Sequence, residues 1–299
     1  MTDILQSLKV TFPVSGVETY IFIPPLVAFV ISFFTSMAGV SGAFLILPFQ
    51  MSVLGFTSPS VSSTNFLYNL VGIPGGIYKY AREKRMLWPL VATIVAGTVP
   101  GILFGYVIRI LYLPEPKKFK FFVGLVLLYI GYRLLRSINK NKPRPNTSGI
   151  KITNTKVTPS RISFFFDGRV FSFSVPLVFG VSLLVGIVGG IYGIGGGAII
   201  APFLVSILEL PVYVVSGAVL MGTFSTSVFG LLFYSLLPLK GGVTAPPDWA
   251  LGALFGLGGL AGMYLGARFQ KYMPERVIKA ILTGVILAVA GKYILQFFR

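Results

Sequence analysis

Long apolar runs, separated by short polar and basic clusters, organise this 299-residue chain. A bilayer-spanning helix needs about 20 mostly apolar residues. Four such segments run over 21–54, 60–80, 87–110 and 118–138, and four more over 173–208, 212–238, 248–270 and 276–298. The pattern predicts an all-α polytopic membrane protein with a first transmembrane repeat over 1–138, a basic polar connector over 139–172 and a second transmembrane repeat over 173–299. The connector holds Pro143, Pro145 and Pro159, and nine basic residues against the single acid Asp167 fall between Arg133 and Arg169. It is expected to be solvated and to face anionic lipid headgroups.

The two sets of four segments are repeats of one another. An offset of 154 places Gly39 on Gly193, Gly42 on Gly196, Pro48 on Pro202, Ser62 on Ser216 and Gly76 on Gly230. After an insertion near Lys240–Pro247, Gly101 and Gly105 face Gly262 and Gly266, and the fourth segments share Gly124/Gly284 and Gly131/Gly291. Duplicated transporters place their site at the repeat interface near mid-membrane.

The first segment of each half is too long for one straight span and carries a glycine interruption, Gly39-Val40-Ser41-Gly42 in one half and Gly193-Ile194-Gly195-Gly196-Gly197 in the other. Glycine weakens a helix by about 1 kcal/mol per residue, so these helices are expected to be broken: a kinked, tilted span or a re-entrant hairpin of two half-helices. The basic loops choose between them. Lys79, Arg82, Lys84 and Arg85, the connector, and Arg268, Lys271, Arg276 and Lys279 share the cytoplasmic side only if the first segments are re-entrant and the halves inverted. Lys117, Lys118 and Lys120 run against the count, since that scheme puts them outside.

Composition narrows the chemistry. Only 11% of residues are charged, against about 25% in soluble domains. The net charge of +17 sits in clusters between apolar runs rather than along a solvated face, which excludes nucleic acid as a partner. There is no cysteine and no histidine, and only eight carboxylates. That leaves no expected catalytic residue, metal site or cofactor, and no intramembrane acid for a built-in proton relay. The first 20 residues carry Asp3, Lys9 and Glu18 and lack the layout of a cleavable signal.

The candidate site residues follow from the breaks. A restarting helix exposes unpaired amides at the positive end of its dipole and suits an anion. Gly39, Ser41, Gly42 and Ala43 in one half, and Gly193, Gly195, Gly196 and Gly197 in the other, are expected to offer such amides. The bland alternative is close packing of small residues between helices. Gly193–Ala198 also fits a dinucleotide fingerprint formally, but no strand precedes it and no acid follows at the right distance. The second segments carry polar stripes: Asn65 and Asn69 with Ser62 and Thr64 in the first half, Thr223 and Thr226 with Ser216 and Ser227 in the second. An amide offers N–H to an anion without a standing charge. Arg109 and Lys292 are expected to snorkel to the headgroups. Tyr78, Tyr80, Trp88, Tyr112, Tyr234, Trp249 and Tyr272 are expected to form interfacial belts.

With these residues in view, the chain resembles the TauE/SafE (TSUP) sulfite exporter family. The resemblance rests on the two four-segment halves, the stretch Gly193–Phe203 and the hydroxyl-rich Gly222–Ser227. In the first half the pattern has drifted, with Ser41 and Ala43 where the second half has glycines. The resemblance implies a multi-pass inner-membrane exporter of small sulfur oxyanions, sulfite or organosulfonates, and not an enzyme. The expected mechanism is alternating access around a midplane anion site. The alternative is an anion channel, or a carrier for another small organic anion. A homo-oligomer is compatible with this reading.

Overall fold

In the computed structural model, residues 8–37, 41–82, 86–138, 152–239, 242–269, 272–273 and 275–299 are described. A hairpin of β1 (Lys9–Thr11) and β2 (Glu18–Tyr20) leads into the helices. The first half then forms α1 (Ile23–Met37), α2 (Ala43–Ser52), α3 (Ser60–Gly72), α4 (Pro74–Arg82), α5 (Trp88–Leu111) and α6 (Pro116–Ile138). The second forms α7 (Val175–Tyr192), α8 (Gly197–Ser206), α9 (Val212–Leu236), α10 (Trp249–Phe269) and α11 (Glu275–Phe298). Among the described residues, six helices are long and apolar enough to cross a membrane: α5, α6, α7, α9, α10 and α11. Proline sets several boundaries. Pro89 and Pro176 occupy the first turns of α5 and α7, where a missing N–H costs nothing. Pro74 restarts the chain as α4 after α3 ends at Gly72, whereas the equivalent α9 runs on unbroken.

Each half grips the other through glycine. On α5, a Cβ added at Gly97 would stand 2.6 Å from the carbonyl oxygen of Phe179, and one at Gly105 2.5 Å from that of Ile187; Gly101 meets Leu183 between them. On α10, Gly258, Gly262 and Gly266 meet the carbonyls of Pro25, Phe29 and Phe33 in the same way. The offset of 154 carries Pro25, Phe29 and Phe33 onto Phe179, Leu183 and Ile187, so the two interfaces are copies. Both pairs, α5 with α7 and α10 with α1, run parallel. Only residues without a side chain allow backbones this close. By contrast, equivalent helices of the two halves meet antiparallel. Gly124 of α6 packs against Ala290–Ile294 of α11 and Gly131 against Ile286 and Leu287, while Phe66 of α3 meets Gly230 of α9 and Gly76 meets Leu220.

These contacts fix where each chain segment begins and ends. Asp248, at the start of α10, accepts from the amides of Val14 and Ser15 beside β1–β2. The α3 start is at the same end, since Ser63 donates to the carbonyl of Ala245 and Thr64 accepts from the amide of Asp248. Because α2 passes directly into α3, α1 enters and α2 leaves at one end of the bundle. In the second half, Val178 of α7 and Leu204 of α8 share a cluster with Leu87 and Phe166 at the other end. The segments over 21–54 and 173–208 are therefore hairpins of two helices, not single tilted spans.

The connector carries structure that its composition did not signal. Strands β3 (Thr153–Val157), β4 (Arg161–Phe166) and β5 (Arg169–Ser174) form an antiparallel sheet in the order β3-β4-β5. Alternation along β4 buries Ile162, Phe164 and Phe166 against Met86, Leu87 and Leu90, and Phe166 stacks on Tyr213 at 5.4 Å. The sheet caps the helix ends where α5, α7 and α9 begin. Ser137 at the end of α6 accepts from Lys279 at the start of α11, which brings the α10–α11 turn to that same end.

Candidate functional site

In the second half the sequence breaks the helix by backbone conformation. Gly193, Gly195 and Gly196 all have positive φ, at +83°, +70° and +76°, a region that costs other residues about 1–2 kcal/mol. Gly193 closes α7 with a bond from its amide to the Gly189 carbonyl, and Gly196 caps α8. The amides of Gly197 and Ala198 then have no partner within the helix, and both residues are partly exposed. In the first half α2 restarts at Ala43 after Gly42, and the Ser41 hydroxyl accepts from the Ala43 amide at 3.3 Å. Gly42 and Ala43 are buried. Gly39 lies outside the described residues.

One side chain ties the two breaks together. The Nδ2 of Asn65 on α3 donates to the carbonyl of Ala43 and to that of Gly193, both at 3.0 Å. Two carbonyl neighbours fix which end of the amide is nitrogen, and its Oδ1 is buried without a partner among the described residues. One turn on, Asn69 accepts at Oδ1 from Ser41 at 3.1 Å and leaves its Nδ2 buried and without a partner among the described residues. Both asparagines are fully buried. A spare buried donor at a helix break is a ready partner for an anion.

Other hydroxyls hold the breaks in shape. Thr226 donates to the carbonyl of Gly195 at 3.0 Å and shares its proton with Gly222 and Thr223 of its own helix. Thr223 bonds back to Val219 and packs against Gly195 and Gly197, where an added Cβ would collide with it. Ser62 donates to Ile191, Tyr192 to Phe44 and Tyr234 to Gly190, so buried hydroxyls satisfy the carbonyls flanking both interruptions. Tyr68 hydrogen-bonds Ser32 below Gly42.

Several sequence expectations change here. Thr64 does not join the breaks; it donates to Ser60 and accepts from the Asp248 amide at the bundle end, because one step along a helix turns a side chain by about 100°. Ser216 is half-exposed and, among the described residues, bonds Val212 of its own helix alone. Tyr234 is fully buried and is no belt residue. Arg109 does not snorkel: it is fully buried, with its guanidinium 3.7 Å from the Phe119 ring centre. Sequence reasoning also passed over Tyr192 and Gln50. Both are fully buried, and Gln50 leaves both amide atoms unpartnered among the described residues. A polar residue amid an apolar run was the available signal for each.

No solved structure gives a significant match to the chain. Among curated proteins it is 23% identical to a probable membrane transporter protein of Xylella fastidiosa, over 87% of this chain and 90% of that one. It is 26% identical to the probable membrane transporter protein ORF9 of a Sinorhizobium species, over 88% of each, and 22% identical to YunE of Bacillus subtilis, likewise a probable membrane transporter, over 87% and 92%. The family model described as Sulfite exporter TauE/SafE matches residues 25–293. That match spans both halves and both breaks, and the chain belongs to the TauE/SafE family of membrane transporters.

Proposed function

We propose that this transporter carries a small sulfur oxyanion, sulfite or an organosulfonate, held between the two breaks near mid-membrane. The observation that carries the reading is the Asn65 bridge between Ala43 and Gly193, beside the spare donor of Asn69. The amides of Gly197 and Ala198 add the positive end of the α8 dipole, equivalent to about half a charge. Neutral donors hold an anion without trapping it. Gly197 and Ala198, where α8 restarts, are partly exposed, while Gly42 and Ala43 at the start of α2 are buried, an asymmetry compatible with one state of an alternating-access cycle. Outward movement of an anion from a negative interior gains about 2.3 kcal/mol per charge per 100 mV.

Proteoliposomes given sulfite, ethanesulfonate or chloride test the proposal. Sulfite and ethanesulfonate are expected to move at least about tenfold faster than chloride, since an oxyanion accepts several charge-assisted bonds where chloride offers no directed lone pairs. Equal chloride flux would make the protein an anion channel.

The antiparallel meeting of equivalent helices supports inverted halves, with the β3–β5 sheet inside the cell. The chain has no cysteine, so single introduced thiols report sidedness directly. An impermeant thiol reagent applied to intact cells is expected to label Thr11→Cys and Lys118→Cys but not Ser172→Cys or Tyr272→Cys. Labelling that pairs Thr11 with Ser172 would overturn the arrangement.

A further inference from the structure

We propose that Arg109 is a second anion-binding station, separate from the amides of the breaks, for an oxyanion of the sulfite or sulfonate class. The ligand class rests on the function proposed above; the site does not. Arg109 sits in the last turn of α5 and is fully buried. One face of its guanidinium lies on Phe119 of α6, 3.7 Å from the ring centre, and Nη1 donates to the carbonyl of Leu113 in the α5–α6 turn. Nε and Nη2 have no partner among the described residues.

The charge lacks an acid to balance it. Glu115, the carboxylate in the adjoining turn, pairs with Lys118 at 2.9 Å, and no ion pair to Arg109 appears among the described residues. Taking a guanidinium out of water costs several kcal/mol unless a counter-charge repays it, and Nε–H with Nη2–H forms the fork that grips two oxygens of one oxyanion. The side chain is held for that purpose: the ring clamps its plane and Leu113 fixes its far nitrogen. The glycine register along α5 places it as well. Gly97, Gly101 and Gly105 pack at the levels of Phe179, Leu183 and Ile187, so Arg109 falls level with Ile191, just before the second break. Lys117 and Lys120 line a shallow surface cleft at this end of the bundle and add positive potential that draws anions toward it.

Purified protein and proteoliposomes provide the test, with sulfite, ethanesulfonate, sulfate and chloride as probes. Sulfite or ethanesulfonate is expected to raise the thermal midpoint of the wild type. Arg109→Met is expected to keep or raise the anion-free midpoint, because a buried unpaired charge has gone. It should raise half-saturating sulfite by about tenfold or more, the loss of one charge-assisted bond. Arg109→Lys keeps the charge without the fork and is expected to fall between them, which covers the case in which Arg109→Met does not fold. Unchanged half-saturation in either variant, or a wild type that no probe stabilises, overturns the proposal. If Asn69→Ala keeps wild-type affinity while Arg109→Met loses it, the break site fails and Arg109 stands; the reverse result sinks Arg109 alone.

Discussion

Asn65→Leu is expected to abolish anion flux and to destabilise the protein by about 1–3 kcal/mol, the cost of leaving the buried Gly193 carbonyl without its donor. Leucine has the same branched heavy-atom skeleton and is no smaller, so the loss is not that of a cavity. The Gly193 carbonyl would be orphaned, the Ala43 carbonyl would keep only its bond within α2, and the tie between the two breaks would be lost. Asn65→Asp is expected to be at least as harmful, because a carboxylate has no N–H to give and buries a charge beside two carbonyl oxygens. Ser216→Ala serves as the control. Its hydroxyl bonds Val212 in its own helix, away from both breaks, so its effect is expected within about 0.5 kcal/mol. Thermal midpoints with sulfite flux in proteoliposomes read all three. An Asn65→Leu protein with wild-type midpoint and flux would remove Asn65 from the centre of the molecule.

The course of the helices was legible because apolar length, proline and glycine are local signals. The expected segment over 87–110 and the observed α5 at Trp88–Leu111 differ by a residue, and Gly193, Gly195 and Gly196 do break the helix where their spacing says. What a stripe of side chains cannot say is which neighbour it meets. Thr64 and Asn65 are adjacent in sequence, yet one serves the α10 start and the other bridges the breaks. Arg109 read as a snorkelling residue from its place near a span end. Its burial comes from Phe119, on a different helix, and no window along α5 contains that information. The sheet over Thr153–Ser174 was hidden for a related reason. Its apolar alternation is short, six residues of β4 and the Phe171/Phe173 pair of β5, and follows a stretch dominated by basic and turn-forming residues. Tyr234 read as a belt residue, since tyrosine does suit a membrane boundary, and Tyr192 drew no reading at all; the carbonyls beside the breaks explain why both hydroxyls are buried.

Gly101→Ala and Gly262→Ala are expected to lose similar, large amounts of stability, about 3 kcal/mol or more, while Gly284→Ala is expected to gain up to about 1 kcal/mol. All three glycines are helical, and alanine is the better helix former, so propensity alone predicts three gains. Packing reverses the sign at two of them. A methyl group at Gly101 would run into the Leu183 carbonyl and the Cα of Gly186, and one at Gly262 into the carbonyl of Phe29. Backbone atoms cannot turn aside as a side chain can. At Gly284 nothing lies within 4 Å of the added carbon. The comparison also bears on how such a transporter moves. Since α5 of the first half is locked to α7 of the second, and α10 of the second to α1 of the first, the two sequence halves cannot rock as separate bodies without breaking both glycine interfaces. If transport proceeds by alternating access, the packing favours the cross-pairs, α1 with α10 and α5 with α7, as the moving bodies, each built from both halves. Matched losses in thermal midpoint for Gly101→Ala and Gly262→Ala, with flux lost in both, fit that division. A gain at either site like the one at Gly284 would show that its interface is loose and would remove the argument for the cross-pairs as units.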